Sequence, residues 1–276
     1  MKKHFIINIL LIAVLLIMTE SCSIKKELEP KVRLETSYGN IVVKLYSETP
    51  LHRDNFMKLV DDGFYNGVLF HRVITDFMIQ TGDPNSKNAK SGQALGTGDV
   101  GYTIPAEFVS PKYYHKKGAL AAARQGDQVN PKKESSGCQF YIVEGRKSSD
   151  EDLNMMEKSM MQRTESNLFQ AKSQERQEDI KRYRMDKNQE KLDALRDSIM
   201  AEVRKEMADS SAYRFTEQQR SDYKAIGGTP HLDSEYTVFG EVVEGLDVVD
   251  KISKTKTGSM DRPTEDIRII KAERVK

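Results

Sequence analysis

A mainly β domain interrupted by a long, charged helical insertion is the fold class that this 276-residue sequence predicts. Short apolar or alternating runs recur through residues 31–145 and 227–276, most of them bounded by Gly, Asn, Asp or Pro, the pattern of a closed barrel or a sandwich. Between them, residues 146–226 hold no Gly and no Pro over 81 positions and carry 17 basic and 17 acidic residues, the composition of a solvated helical segment. Over the whole chain Lys and Arg total 43 against 42 for Asp and Glu, so no charge excess points to nucleic acid.

The chain opens with Lys2 and Lys3, an apolar run from Phe5 to Met18 broken only by Asn8, and then Thr19-Glu20-Ser21-Cys22. That run is shorter than the roughly 20 residues needed to cross a bilayer as a helix, and it reads as a secretion signal. Ser21 before Cys22 resembles the lipobox of bacterial lipoproteins, in which the cysteine is acylated and becomes the new N-terminus; Thr19 departs from the usual leucine. Residues 1–22 are therefore expected to be a lipoprotein signal peptide with Cys22 as the lipidation site. Simple cleavage or an uncleaved anchor are the alternatives. Residues 23–30 form a short polar tether. The expected location is the cell envelope, lipid-anchored to a membrane and facing the periplasm or the cell surface. With Cys22 acylated or removed, Cys138 is the one remaining thiol, so no intramolecular disulfide can form.

Val32, Leu34 and Thr36 alternate with Arg33 and Glu35, and Tyr38-Gly39-Asn40 supplies turn residues before Ile41 to Tyr46, which predicts a β-hairpin. Thr49 before Pro50 fits an N-cap with proline at the first helical position, and Phe56, Leu59 and Val60 form a stripe ending at Gly63, which predicts one short helix. Further strands are expected at 68–74, 119–123, 139–143, 236–243 and 267–270. Within the insertion, Leu153, Met156 and Met160 step by three or four, as do Leu192, Leu195, Ile199 and Val203. Two antiparallel arms burying these stripes on each other are more economical than a single helix on the order of 100 Å long.

The segment Phe70-His71-Arg72-Val73-Ile74, followed by Phe77-Met78-Ile79-Gln80-Thr81-Gly82-Asp83, resembles the active-site signature of the cyclophilins. Gly118 to Arg124, Ser136 to Ile142, and His231-Leu232-Asp233 with Tyr236 to Val242 resemble that family's later segments, in the same order. The resemblance spans 31–145 and 227–276 with residues 146–226 spliced between. It implies an eight-stranded antiparallel barrel with two helices, and peptidyl-prolyl cis/trans isomerase activity. It also implies catalytic roles for Arg72 and for Gln80, which would orient the arginine. Substrate-binding roles are implied for Phe77, Met78, Ala123, Arg124, Gln139, Tyr141, Leu232 and Tyr236. Tyr141 stands where many members have phenylalanine and would bring a hydroxyl to the pocket wall. His231 stands where well-known members have tryptophan, and Arg124 replaces a common asparagine.

Read without that resemblance, Arg72 would be a surface residue, and Phe77, Met78 and Tyr141 would be core. His71 invites an acid/base role, but amide rotation needs no proton transfer, so it reads as structural. His52, His115 and His231 show no ligand spacing; no metal and no cofactor is expected. Gly96-Thr97-Gly98 lacks the Lys-Ser/Thr pair of a phosphate loop and reads as a surface loop. The implied partners are proline-containing peptides, unfolded exported proteins and, through the lipid, a membrane. The helical arm, with seven of the twelve methionines, is a candidate partner-binding surface. The alternative function is a non-catalytic prolyl-peptide module or chaperone that uses this arm. Cys22→Ser is expected to abolish acyl labelling of the chain in cells and to release it from membranes or leave an unprocessed precursor; continued labelling would refute the lipobox.

Overall fold

A computed structural model of the chain describes residues 29–208 and 214–275; the signal segment, Cys22 and most of the tether lie outside them. The chain divides into two compact units, one running to Lys147 and resuming at Ala225, the other Ser148–Lys224.

In the first unit β1 (Lys31–Thr36) and β2 (Gly39–Leu45) form the expected hairpin, with Ser37 and Tyr38 as its turn and Gly39 already inside β2. Helix α1 (Pro50–Asp61) follows and buries Phe56, Leu59 and Val60. The Thr49 side chain does not cap it. Glu107 does, accepting the N–H groups of Leu51 at 3.1 Å and His52 at 3.0 Å, so a carboxylate 56 positions away satisfies the orphan donors of the first turn.

The remaining long strands are β3 (Arg72–Ile74), β4 (Met78–Thr81), β6 (Ala119–Ala122), β8 (Phe140–Val143), β9 (Val238–Glu244) and β10 (Ile269–Arg274). Two-residue strands β5 (Thr103–Ile104) and β7 (Ser135–Ser136) pair separately. The eight-stranded antiparallel sheet runs β10-β1-β2-β9-β6-β8-β4-β3. Its two edges meet, because Gly67 and Phe70 donate to the carbonyls of Ile269 and Ile267 at 2.7 and 2.9 Å, and Ile269 donates back to Val68 at 2.9 Å. Along this stretch the two edges share one ladder instead of exposing it. β4 is an element that the hydrophobic pattern hides. The turn before it places Asp76 at φ 61° with no glycine to announce it.

Alternation then sorts the side chains. Val73, Ile79, Leu120, Ala122, Phe140 and Ile142 point inward and join Leu34, Val43, Phe56 and Phe239 in the barrel core. Met78, Ala119, Ala121, Tyr141, Val143 and Val238 point outward and form a second apolar cluster. Strands β6 and β8 are thus buried on both faces. Helix α6 comes much later, at Leu246–Ser253, and buries Val248, Val249 and Ile252.

The second unit contains α2 (Asp150–Glu175), α3 (Gln177–Met185), α4 (Gln189–Ala208) and most of α5 (Glu217–Ala225). Among the described residues the two expected arms are present, α2 with α3 forming one and α4 the other, and α5 follows them. The first arm breaks at Arg176, whose φ of −106° interrupts α2 before α3. Ser149 and Asp152 form a capping box that starts α2. The two stripes converge, as α4 packs along α2 with Leu153, Ile199 and Val203 buried.

The ends of the first unit already touch where the insertion leaves it. Gly228 donates to Arg146 at 3.1 Å, and a Cβ on Gly145 (φ 64°) would lie 2.4 Å from Gly228 Cα. Replacing residues 148–224 with a short Gly/Ser linker should therefore leave a cooperatively unfolding barrel with an intact near-UV spectrum. Gly145→Ala should destabilise the barrel by about 2 kcal/mol or more, through both φ and overlap. Loss of cooperative unfolding in the linker variant would show that the barrel needs the insertion.

Candidate active site

The register across four strands builds one face of the site. Arg72 in β3 lies opposite Gln80 in β4, Gln80 opposite Tyr141 in β8, and Tyr141 opposite Ala121 in β6. Met78 lies opposite Ile74 on one side and Val143 on the other. Of the ten residues singled out for substrate or catalysis, Met78 and Tyr141 belong to the outer cluster, with Phe77, Ala123, Leu232 and Tyr236 packed against it. Phe77 is pinned by its backbone, since its carbonyl accepts from Glu144 N–H at 3.1 Å and Gly145 N–H at 3.0 Å. The Glu144 carboxylate in turn accepts the N–H of Asp76 and holds the left-handed turn; burial raises its pKa above the usual carboxylate range.

Arg72 stands at the edge of this cup, part-exposed, and its Nε–H donates to Asp261 at 3.3 Å. With both partners more than two-fifths exposed, this pair is worth at most about 1 kcal/mol, but it sets where the guanidinium points. Asp261 sits in a short turn with Met260, both at positive φ (57° and 59°). Gln80 has its side-chain bond elsewhere than expected, as its amide donates to Gln139 Oε1 at 3.1 Å. Gln139 donates to the carbonyls of Gly96 at 3.0 Å and Gly98 at 2.7 Å, so its amide is committed within the protein. Buried Asp83 organises the same glycine-rich loop, accepting from Asn85, Gly96 and Gly98. Only glycine fits at 98, where a Cβ would lie 2.0 Å from Asp83 Oδ1. Arg72, Gln80 and His71 line a cleft of about 870 Å³ between this loop and residues 258–264.

On the other flank Arg124 stacks on Tyr236, its guanidinium carbon 4.5 Å from the ring centroid, and donates to the Glu235 carbonyl at 2.7 Å. Its side chain is a brace for Tyr236, which leaves its backbone as the part that can face a peptide. His231 stacks on Phe77 at 5.7 Å between centroids. The Tyr141 hydroxyl points into the protein and meets buried His115, so the pocket is presented with the tyrosine ring. Burial raises this phenol well above its ordinary pKa and keeps it a donor. Sequence reasoning missed Asp261 and Glu144 and dismissed His115. No spacing signal marks any of the three.

His71, beside Arg72, is 3% exposed, and burial lowers its imidazole to about 4. An unfolded histidine takes its proton near ~6.5, so between there and about 4 the unfolded chain binds more protons and stability falls as pH drops. His71→Phe keeps a ring but titrates nothing. Between pH 7 and pH 4, wild-type stability from urea titrations should fall by about 3 kcal/mol more than that of the variant, at roughly 1.4 kcal/mol per pKa unit. Parallel stability profiles for the two proteins would contradict the buried, neutral imidazole.

Residues 31–155 and 153–274 match the family described as cyclophilin type peptidyl-prolyl cis-trans isomerase/CLD. A Staphylococcus saprophyticus protein named as a peptidyl-prolyl cis-trans isomerase is 29% identical over 242 residues, 87% of this chain and 89% of its own length. A protein of the same name from Staphylococcus haemolyticus is 27% identical over 256 residues, 91% of this chain and 96% of its own. The crystal structure of a cyclophilin type peptidyl-prolyl cis-trans isomerase from Cryptosporidium parvum superposes with a TM-score of 0.51 at 18% identity, covering 90% of this chain and 98% of that one, a likeness of fold. The barrel, the outward-facing cup with an arginine at its edge and the family match on both sides of the insertion lead to one conclusion: the chain belongs to the cyclophilin-type peptidyl-prolyl cis-trans isomerases and acts on proline-containing peptides.

Proposed function

We propose that this isomerase speeds proline-limited folding of exported proteins, with Arg72 as its catalytic group and a lipid on Cys22 as its tether. The observation that supports the catalytic assignment is the position of Arg72 at the rim of an apolar cup, with its Nε–H engaged by Asp261.

An Xaa-Pro amide prefers trans by only about 0.5–1 kcal/mol, yet resonance holds the rotation barrier near ~18–20 kcal/mol. At a twist of ~90° conjugation is lost and the proline nitrogen becomes pyramidal, with a lone pair that an arginine N–H can then hydrogen-bond. Neither planar ground state offers that acceptor. Arg72 therefore binds the twisted state selectively, which is what lowers a barrier. Phe77, Met78, Tyr141 and Leu232 hold the proline ring, while the backbone at Ala123 and Arg124 grips the residue before it. Gln80 and Gln139 tie the floor of the site to the glycine-rich loop and support the strand beside Arg72. A ~10⁵-fold acceleration requires about 7 kcal/mol. One charged hydrogen bond supplies roughly 1.5–3 kcal/mol, and ring anchoring and desolvation supply the rest.

The leader at residues 1–22 supports an exported setting. On the insertion, Met155, Met161 and Met185 are 61%, 48% and 83% exposed, separate adaptable apolar side chains that unfolded clients could contact. Arg72→Ala should lower kcat/KM on an Xaa-Pro tetrapeptide by about 100-fold or more while changing peptide affinity only a few-fold. Phe77→Ala should weaken affinity about tenfold, because the wall acts in every state. Near-full turnover in the arginine variant would defeat the mechanism, and a non-catalytic binding module would then be the better reading.

A further inference from the structure

Behind the aromatic wall of the cup runs a buried chain of three polar side chains. The Tyr141 hydroxyl and His115 Nε2 are 3.0 Å apart, and His115 Nδ1 and Asp233 Oδ1 are 3.0 Å apart. The same carboxylate oxygen accepts the backbone N–H of His115 at 2.8 Å. Tyr141, His115 and Asp233 are 4%, 0% and 4% exposed. The direction of the chain follows from the acceptor at its end. A carboxylate can only accept, so His115 carries a proton on Nδ1, and in the neutral imidazole Nε2 is then the acceptor for the Tyr141 O–H.

The three residues come from three separate segments. Tyr141 is on β8 and forms the wall. His115 lies in the segment before β6, whose carbonyl accepts from Thr229 N–H at 2.8 Å. Asp233 directly follows Leu232 in the rim segment that also carries Tyr236, and Tyr236 N–H donates to Leu232 at 3.3 Å. One hydrogen-bonded chain thus couples the wall of the cup to two residues of its rim. The ring also packs edge-on to Tyr236, with centroids 5.9 Å apart, so its tilt is restrained at the ring edge as well as at the hydroxyl.

We propose that His115 and Asp233 are positioning residues that act through Tyr141, locking the tilt of its ring and thereby setting the fit of the proline ring. The inference rests on the reading of Phe77, Met78 and Tyr141 as the proline pocket. A phenylalanine at this position would have no such anchor and could tilt with its neighbours. In this chain the wall is held rigid by a bond that a substrate never touches.

The test is a double-mutant cycle on the full chain, read as KM and kcat for an Xaa-Pro tetrapeptide. Tyr141→Phe should raise KM about three- to tenfold, with kcat lowered by less. His115→Asn should raise KM to a similar degree in the wild-type background, and change it less than about twofold when Tyr141→Phe is already present. A merely structural histidine would produce the same KM change in both backgrounds, and that result would overturn the proposal. Should His115→Asn fail to fold, imidazole nitrogen NMR of the wild type and of Tyr141→Phe decides instead. An Nδ1–H tautomer whose Nε2 resonance moves when the hydroxyl is removed supports the chain; an Nε2–H tautomer refutes it. Phe77→Ala separates the two levels. A raised KM there, with none in Tyr141→Phe, leaves the pocket standing and overturns the positioning chain, whereas no change in either variant overturns both.

Discussion

The backbone pairing of β3, β4, β8 and β6 is the constraint on which the rest of the site depends. It puts Arg72, Gln80, Tyr141 and Ala121 in one row and Ile74, Met78 and Val143 in the next. Side chains alternate along a strand, so a slip of one residue in any of these pairings would turn Met78 and Tyr141 into the barrel and bring Ile79 and Phe140 or Ile142 out. The filled interior makes such a slip costly. Phe140, Ile142 and Ile79 are each at most 1% exposed inside the core, and removing one such side chain to alanine costs about 2–5 kcal/mol. The core therefore specifies the register, and the register specifies the site on the opposite face.

Around this row, side chains from distant loops satisfy buried polar groups and in doing so orient the functional ones. Asp83 gathers the glycine-rich loop, Gln139 clasps it, and Gln80 leans on Gln139. Glu144 closes the turn that presents Phe77. Arg262, with its side chain 9% exposed, donates to the carbonyls of Lys90 and Gln93 and so ties the loop at 90–93 to the segment that carries Asp261. Each neutral bond among these is worth about 1 kcal/mol net and each charged one roughly 1.5–3 kcal/mol, while a buried group left without its partner would cost about 1–3 kcal/mol and more when it is charged. The loops are held in place mainly by the penalty for leaving.

The insertion is organised by a different balance. Its charges pair along and across the helices, as in Arg176 with Glu202 at 2.7 Å and Lys172 with Glu206 at 2.9 Å. Such part-exposed pairs contribute at most about 1 kcal/mol each. The seam of Leu153, Ile199 and Val203 supplies more, because burying one such side chain stabilises by about 1.5–3 kcal/mol. At the base of this unit the Phe215 N–H donates to Glu157, whose carboxylate also meets Arg220 at 3.5 Å, and Phe215 packs edge-on to Tyr223. Equal numbers of acids and bases keep so charged a segment free of net repulsion.

What the sequence by itself determined lies in contiguous runs. Strand alternation separated Phe140 from Tyr141 and the absence of Gly and Pro delimited the helical insertion, while Arg72, Phe77, Met78 and Gln80 were named only through the resemblance of the segment from Phe70 to Asp83 to the cyclophilin signature. The first two signals survive in one dimension because helix and strand patterns are local properties of the chain. Tertiary structure alone decided which side chains hold those residues in place. Asp261 reaches Arg72 across 189 positions, Asp233 reaches His115 across 118, and Glu107 caps a helix that Thr49 was expected to cap. None of these partners carries a local mark, since a carboxylate in a loop reads the same whether it faces water or a buried donor. Only the closing of the barrel, which brings the loops of distant strands to one rim, creates the donors that give those carboxylates their roles.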